Sequence, residues 1–145
     1  MKAIALPNKE LRLLSLQLQS FNQGYTVEQI RLLDKIIRNV ETILKPFNDS
    51  LEKINKMEIK EGTEVEKIES QRKKEHAFNE LISNEGEKEV TISVEDQEFN
   101  FIQAVWNKTA TFSGISEARG SIIKIDDVLN HPTEKVFTEA NKLIN

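Results

Sequence analysis

The chain has 145 residues, a hydrophobic fraction of 38% and a net charge of −4, which together fit one domain with a core of its own. It contains no cysteine, which excludes disulfides, thiolate metal sites and cysteine nucleophiles and suits a reducing cytoplasm. No apolar run approaches the roughly 18 residues of a membrane span, and no secretory signal opens the sequence. We therefore expect a cytoplasmic protein without a membrane partner.

Two short segments read as strands, "KAIAL" at residues 2–6 and "EVTIS" at residues 89–93. The simplest arrangement pairs them in a small two-stranded ribbon. Each segment leads directly into a predicted helix. Asn8 is the expected cap of the first helix, from Lys9 to about Phe21.

The strongest pattern in the sequence lies between Thr26 and Met57. Thr26 with Gln29 forms a capping-box signature, so a helix is predicted to begin at about Val27. Eight apolar residues then recur three or four positions apart, and Pro46 is expected to kink the helix without changing their register. These seam residues are Ile30, Leu33, Ile37, Val40, Leu44, Phe47, Leu51 and Ile54. The seam fits either an internal hairpin or a homo-oligomer, and the pattern does not choose between them.

A highly charged stretch follows Met57, and we expect residues 58–76 to form the exposed tip of a helical hairpin that turns at Gly62. A return helix is predicted from Thr63 to Ser83. It is expected to turn five apolar side chains inward: Val65, Ile68, Phe78, Leu81 and Ile82.

Three further helices are predicted after the second strand. The first runs from Val94 to about Lys108, with Ser93 and Asp96 as its cap; a β-hairpin of "VTISV" and "EFNFI" is the alternative. The second begins at Ser116 and ends at "NHP", and a last helix follows Pro132. The apolar faces of these two helices are Ile115, Ala118, Ile122, Ile125 and Leu129, and Val136, Phe137, Ala140, Leu143 and Ile144.

The fold class that follows is mainly α, with a minor two-stranded β-ribbon (α+β). We expect residues 1–145 to form a single domain, in which a long helical hairpin over residues 26–84 packs on a small core. That core would be built from residues 1–22 and 88–145.

One ligand-binding site is a candidate. Arg119, together with hydroxyls near the start of the Ser116 helix, offers hydrogen-bond donors to an anionic group, and Trp106 with Lys108 adds a stacking surface and a cation. The hydroxyls belong to Ser113, Ser116 and Ser121. Helix capping and core packing are the competing interpretation of these same residues.

The sequence argues against catalytic, metal, phosphate-binding and nucleic-acid sites. Asp126 and Asp127 lie about 100° apart around a helix, so they do not form an acid and base pair. His76 and His131 have no second ligand at a metal-binding spacing, and no glycine-rich phosphate motif is present, so we expect no metal, no cofactor and no enzyme activity. Acidic residues flank the basic run "QRKKEH" (71–76), which argues against nucleic acid.

A strand that enters a helix in "MKAIALPNKELRLL" is followed by a charged hairpin and then by "FNFIQAVWNK" and "SEARGSIIKIDDVLN". This order of elements, with a bias to Lys, Glu, Asn and Ile, resembles the short accessory proteins of unknown function from tailed phages of low-GC bacteria. The resemblance implies a small non-enzymatic binding protein and assigns no functional residue. Its implied target is a virion component, a host defence protein or a signalling nucleotide.

We therefore expect a phage-encoded protein in the host cytoplasm that inhibits or sequesters a host defence component and self-associates. A virion structural or assembly accessory protein is the alternative. A small regulatory DNA binder is a third class, but it would need a basic face that the composition does not show.

Overall fold

The computed structural model of the protein describes residues 1–20, 24–59, 61–108 and 116–131, with the backbone alone for residues 116–118. The helix predicted after Pro132 lies outside the described residues, as do Phe21, Ser113 and Ile115. In chain order the elements are β1 (Lys2–Pro7), α1 (Asn8–Gln19), α2 (Val27–Asn55), α3 (Glu64–Leu81), a π-helical turn (Ile82–Gly86), β2 (Glu89–Val94), α4 (Asp96–Lys108) and α5 (Ser116–Asn130). The mainly helical class with a minor β-ribbon is thus confirmed.

The two strands pair antiparallel, with Ile4 opposite Ile92 and Lys2 opposite Val94. Since side chains alternate along a strand, one face of the ribbon carries Ile4, Leu6, Ile92 and Val94, which are all buried. The alternative β-hairpin of residues 90–102 is wrong, because residues 96–108 form α4.

The core is organised around α1, which contacts α2, α4, α5, β1 and the π-helical turn. Its buried apolar stripe is Leu11, Leu14 and Leu18. The prediction that Asn8 caps this helix is wrong. Asn8 is the first residue of α1, and its Nδ2 donates to the carbonyl oxygen of Glu85 at 2.8 Å, which ties the helix to the π-helical turn.

The capping box of α2 is confirmed. The Gln29 backbone N–H donates to Thr26 Oγ1 at 3.2 Å, and the Thr26 N–H donates to Gln29 Oε1 at 2.9 Å. The helix passes through Pro46 as one element, and the predicted kink stays a prediction. Its buried residues are Ile36, Val40, Leu44, Phe47 and Leu51. The seam is therefore buried within a single chain from residue 36 to residue 51, with Ile36 replacing Ile37, while Ile30 is exposed.

Helix α3 begins after Thr63, whose Oγ1 accepts from the Glu66 N–H at 3.3 Å. It has no buried side chain. The prediction that Val65, Ile68 and Phe78 turn inward is therefore wrong, because all three are exposed. Leu81 and Ile82 do pack against the core, where the chain approaches α1, and this part of the prediction is confirmed.

The second half of the core comes from α4 and α5, which bury Ile102, Val105 and Trp106, and Ile125 and Leu129, respectively. Helix α4 starts two residues later than predicted, because Ser93 and Val94 are still paired in β2. The predicted Ser93 cap is wrong: Glu98 Oε1 accepts from the backbone N–H of Glu95 at 3.0 Å and supports the first turn.

Candidate functional site

Trp106, which was expected to offer a stacking surface, lies in the core between α4 and α5. Its Nε1 donates to Asp126 Oδ1 at 3.0 Å, and Asn130 Nδ2 donates to the same oxygen at 2.8 Å. Gln103 Nε2 donates to the carbonyl oxygen of Leu129 at 3.0 Å in the next turn. This network fastens α4 to α5, and the buried indole ring presents no open face on which a base could stack.

Ser121, a second predicted ligand residue, belongs to a different network between α1 and α5. Its hydroxyl donates to Glu10 Oε1 at 3.3 Å, and Lys9 Nζ and Lys124 Nζ each lie 3.9 Å from that oxygen. Glu10 is 2% exposed, and its Oε2 is buried without a hydrogen-bond partner. Because a buried carboxylate already faces Ser121, this position does not favour a bound anion.

Lys9 extends the network to Glu87, which follows the π-helical turn. Its ammonium donates to Glu87 Oε1. This hydrogen bond raises the pKa of Lys9 and lowers the pKa of Glu87, because it favours the charged form of each partner.

The remaining predicted ligand residues do not complete a pocket among the described residues. Lys108 and Arg119 are exposed, and the side chains of Ser113 and Ser116 lie outside the described part. Trp106 and Ser121 have separate partners, Asp126 and Glu10. Both networks join helices within the described residues, and a ligand site that includes Ser113 and Ser116 stays a prediction.

Three side chains at the end of α5 approach one another. The expectation that His131 has no second ligand at a metal-binding spacing is wrong, because Asp127 lies four residues before it, on the same side of the helix. One ligand atom each from Asp126, Asp127 and His131 all lie within 4.8 Å of one another. Asp126 already accepts hydrogen bonds from Trp106 and Asn130, whereas Asp127 and His131 are exposed. The arrangement is that of an exposed acidic helix end with a neighbouring imidazole.

A cleft of about 450 Å³ lies between α2 and α3 and contains two partly exposed apolar side chains. Phe78 and Ile59 lie in it and are 44% and 46% exposed. At its wall Lys74 Nζ donates to the carbonyl oxygen of Asn55 at 3.2 Å, which joins the two helices. We call this the α2–α3 cleft; its lining is Ile54, Asn55, Ile59, Gln71, Lys74, Glu75, Phe78 and Asn79.

The sequence pattern placed Phe78 in the core, so this cleft was not predicted. One signal was available: the middle of α3 is almost wholly charged, so the helix lacks the apolar stripe needed to bury Phe78. An apolar side chain on such a helix remains accessible to a partner.

Comparison with known proteins finds no protein family, no curated protein and no solved structure that matches the chain. Within the described ranges, no helix combines the length and the apolar character that crossing a membrane requires.

Proposed function

We propose that this protein is a non-enzymatic binding protein that holds a segment of a partner protein in the α2–α3 cleft. The proposal depends on one observation: Phe78 and Ile59 both lie in this cleft, and each side chain is a little under half exposed. Removing their remaining surface from water would contribute about 2 kcal/mol each, before the cost of association. Partly exposed apolar anchors inside a cleft are typical of the centre of a protein interface.

A protein segment suits this cleft better than a nucleotide does. Its lining contains one lysine, whose Nζ already donates to Asn55, and one glutamate, so it offers a phosphate no cluster of free cations. Amide side chains of Asn55, Gln71 and Asn79 surround the apolar residues and can bond to the backbone of a bound segment.

Neither of the two polar networks of the described residues offers a free carboxyl group to a substrate. Asp126 accepts hydrogen bonds from Trp106 and Asn130, and Glu10 is buried beside Ser121. Both carboxylates are committed to contacts between helices. General acid and base chemistry needs a carboxyl group within reach of a substrate.

For the identity of the partner we follow the resemblance to phage accessory proteins. We propose that the chain is phage-encoded and that the partner is a protein component of a host defence system, which is inhibited by being bound. A virion protein is the alternative partner, with the present chain as an assembly accessory.

The test is to express the chain in bacterial hosts that carry defined defence systems and to measure how efficiently phages form plaques. We expect the wild type to restore plating against at least one system and Phe78→Glu to lose this effect, because a buried unpaired carboxylate opposes docking. Val27→Glu is the matched control, since Val27 is 68% exposed and lies outside the cleft.

Each result bears on the proposal. Activity of Phe78→Glu equal to that of the wild type would remove the cleft from the mechanism. Failure to relieve any defence system, together with recovery of the chain from purified particles, would favour the virion role. Turnover of a substrate by the purified protein would contradict a purely binding function.

A further inference from the structure

Five charged side chains of α3 form an acidic set followed by a basic pair, although Lys67 lies between the acidic residues and Glu75 and Glu80 follow the basic ones. Glu64, Glu66 and Glu69 lie in the first half, and Arg72 and Lys73 follow in the middle. In the described part of the chain no ion pair within 4.0 Å joins any of these five side chains to another residue. The helix therefore presents an unpaired acidic segment next to an unpaired basic one.

The helix dipole explains only part of this division. Acidic residues in the first turn are stabilised by the positive N-terminal end, which accounts for Glu64 and Glu66. Basic residues are stabilised by the dipole in the last turn, but the last turn of α3 contains none. Arg72 and Lys73 lie before that turn, three and four residues after Glu69, a spacing at which opposite charges on one helix attract each other.

The opposite charges share one face of the helix. At 100° per residue, Glu66 and Lys73 differ by about 20° around the axis, and Glu69 and Arg72 by about 60°. Val65 and Ile68, both exposed, lie on the same side. The centre of this face lies about 170° from Lys74 and Phe78, which line the α2–α3 cleft, whereas its edge residues Ile68 and Arg72 lie about 20° from the cleft residues Glu75 and Asn79, respectively. We call it the outer stripe; its members are Val65, Glu66, Ile68, Glu69, Arg72 and Lys73.

We propose that the outer stripe binds the outer stripe of a second copy of this chain, with the two α3 helices antiparallel and a twofold axis near Ser70. In this arrangement Glu66 faces Lys73 of the partner subunit, and Glu69 faces the partner's Arg72. The twofold axis repeats both pairs, so one self-complementary surface supplies four opposite-charge contacts.

One of the two exposed apolar side chains of the stripe, Ile68, also has a contact in this pairing. Ile68 lies opposite the partner's Arg72, whose methylene stem can cover it while the guanidinium reaches the carboxylate. A parallel pair would instead set acidic segment against acidic segment and basic against basic, which like-charge repulsion opposes. Charge therefore selects a second copy in the antiparallel orientation.

This association differs from an oligomer formed through the α2 seam, because the seam residues between Ile36 and Leu51 are already buried within one chain. None of the outer-stripe residues lines the α2–α3 cleft, although Ile68 and Arg72 border it. Since exposed ion pairs are individually weak and screened by salt, we expect a weak dimer that forms at low ionic strength and dissociates at high salt.

The experiment compares the full-length wild type with two charge-reversal variants by sedimentation equilibrium, from micromolar to millimolar protein. One variant is Glu66→Lys/Glu69→Lys, and the other is Arg72→Glu/Lys73→Glu. All four positions are exposed, and circular dichroism measures whether each variant keeps the helix content of the wild type. We expect the wild type to dimerise at low salt and each variant alone to stay monomeric.

An equimolar mixture of the two variants is the decisive sample. One variant then carries a wholly basic stripe and the other a wholly acidic one, so we expect the mixture to form a heterodimer at least as readily as the wild type dimerises. A wild type that stays monomeric throughout would overturn the proposal. So would dimers of either variant alone, or a mixture that does not associate.

Discussion

Replacing Leu44 by alanine tests whether the seam of α2 stabilises the chain from within. Leu44 is 2% exposed and belongs to the same core cluster as Leu14 and Leu18 of α1. The substitution removes three buried carbons at about 0.8 kcal/mol each, or about 2.4 kcal/mol, and the cavity left behind raises the loss to about 3 kcal/mol. For a domain of this size, that loss lowers Tm by about 10 °C.

The measurement is urea unfolding at low protein concentration, followed by circular dichroism, with Ile30→Ala as the control. Ile30 belongs to the same predicted seam and the same helix but is exposed, so its truncation should change the free energy of unfolding by no more than about 0.5 kcal/mol. If Leu44→Ala and Ile30→Ala lowered the free energy of unfolding by equal, small amounts, the burial of the seam within one chain would be refuted.

Three further outcomes follow from local contacts. Thr26→Ala removes the cap of α2 and should cost about 1 kcal/mol in unfolding free energy, whereas Thr26→Ser should retain most of it. Asp126→Ala removes a charged acceptor of the Trp106 indole and should cost about 2 kcal/mol, measured in urea through the fluorescence of this single tryptophan; no loss would contradict the bond. The pKa of Glu87 is lower in the folded protein than in the unfolded chain. Its ion pair with Lys9 therefore stabilises the protein above the unfolded pKa of Glu87, and this stabilisation is lost as pH falls through the folded pKa. The raised pKa of Lys9 makes its contribution present below its unfolded pKa and lost as pH rises through its folded pKa. Glu87→Gln should therefore lower the urea midpoint at neutral pH and match the wild type in acid; a difference that persists in acid would contradict the pair.

The elements that sequence predicted well are those whose signals are local. The Thr26 capping box and the three–four spacing after it are contained in a few neighbouring residues; the structure forms the capping box and buries the seam from Val40 to Leu51. The start of α4 was missed because the ladder to β1, which pairs Ala3 with Ser93, holds Ser93 in a strand. Capping residues near a strand end do not reveal how far the strand partner extends.

Local sequence patterns could not predict the hydrogen-bond networks that join the helices. Ser121 and Glu10 are 111 residues apart, and Trp106 and Asp126 are 20 apart, so only the packing of α5 on the core brings them together. Phe78 shows the converse error. Its spacing from Leu81 and Ile82 suggested a common buried face, but α3 reaches the core only at its carboxyl end.

The pairing of β1 with β2 has a consequence for how this protein is made. The ladder joins Lys2 to Val94, so β1 has no partner strand until nearly two thirds of the chain has been synthesised. Helices α1, α2 and α3 close only local hydrogen bonds and can form during that interval, whereas the ribbon requires a long loop to close. We expect strand pairing to be the slow step of folding and the unpaired β1 edge to be the segment that a chaperone binds in the nascent chain.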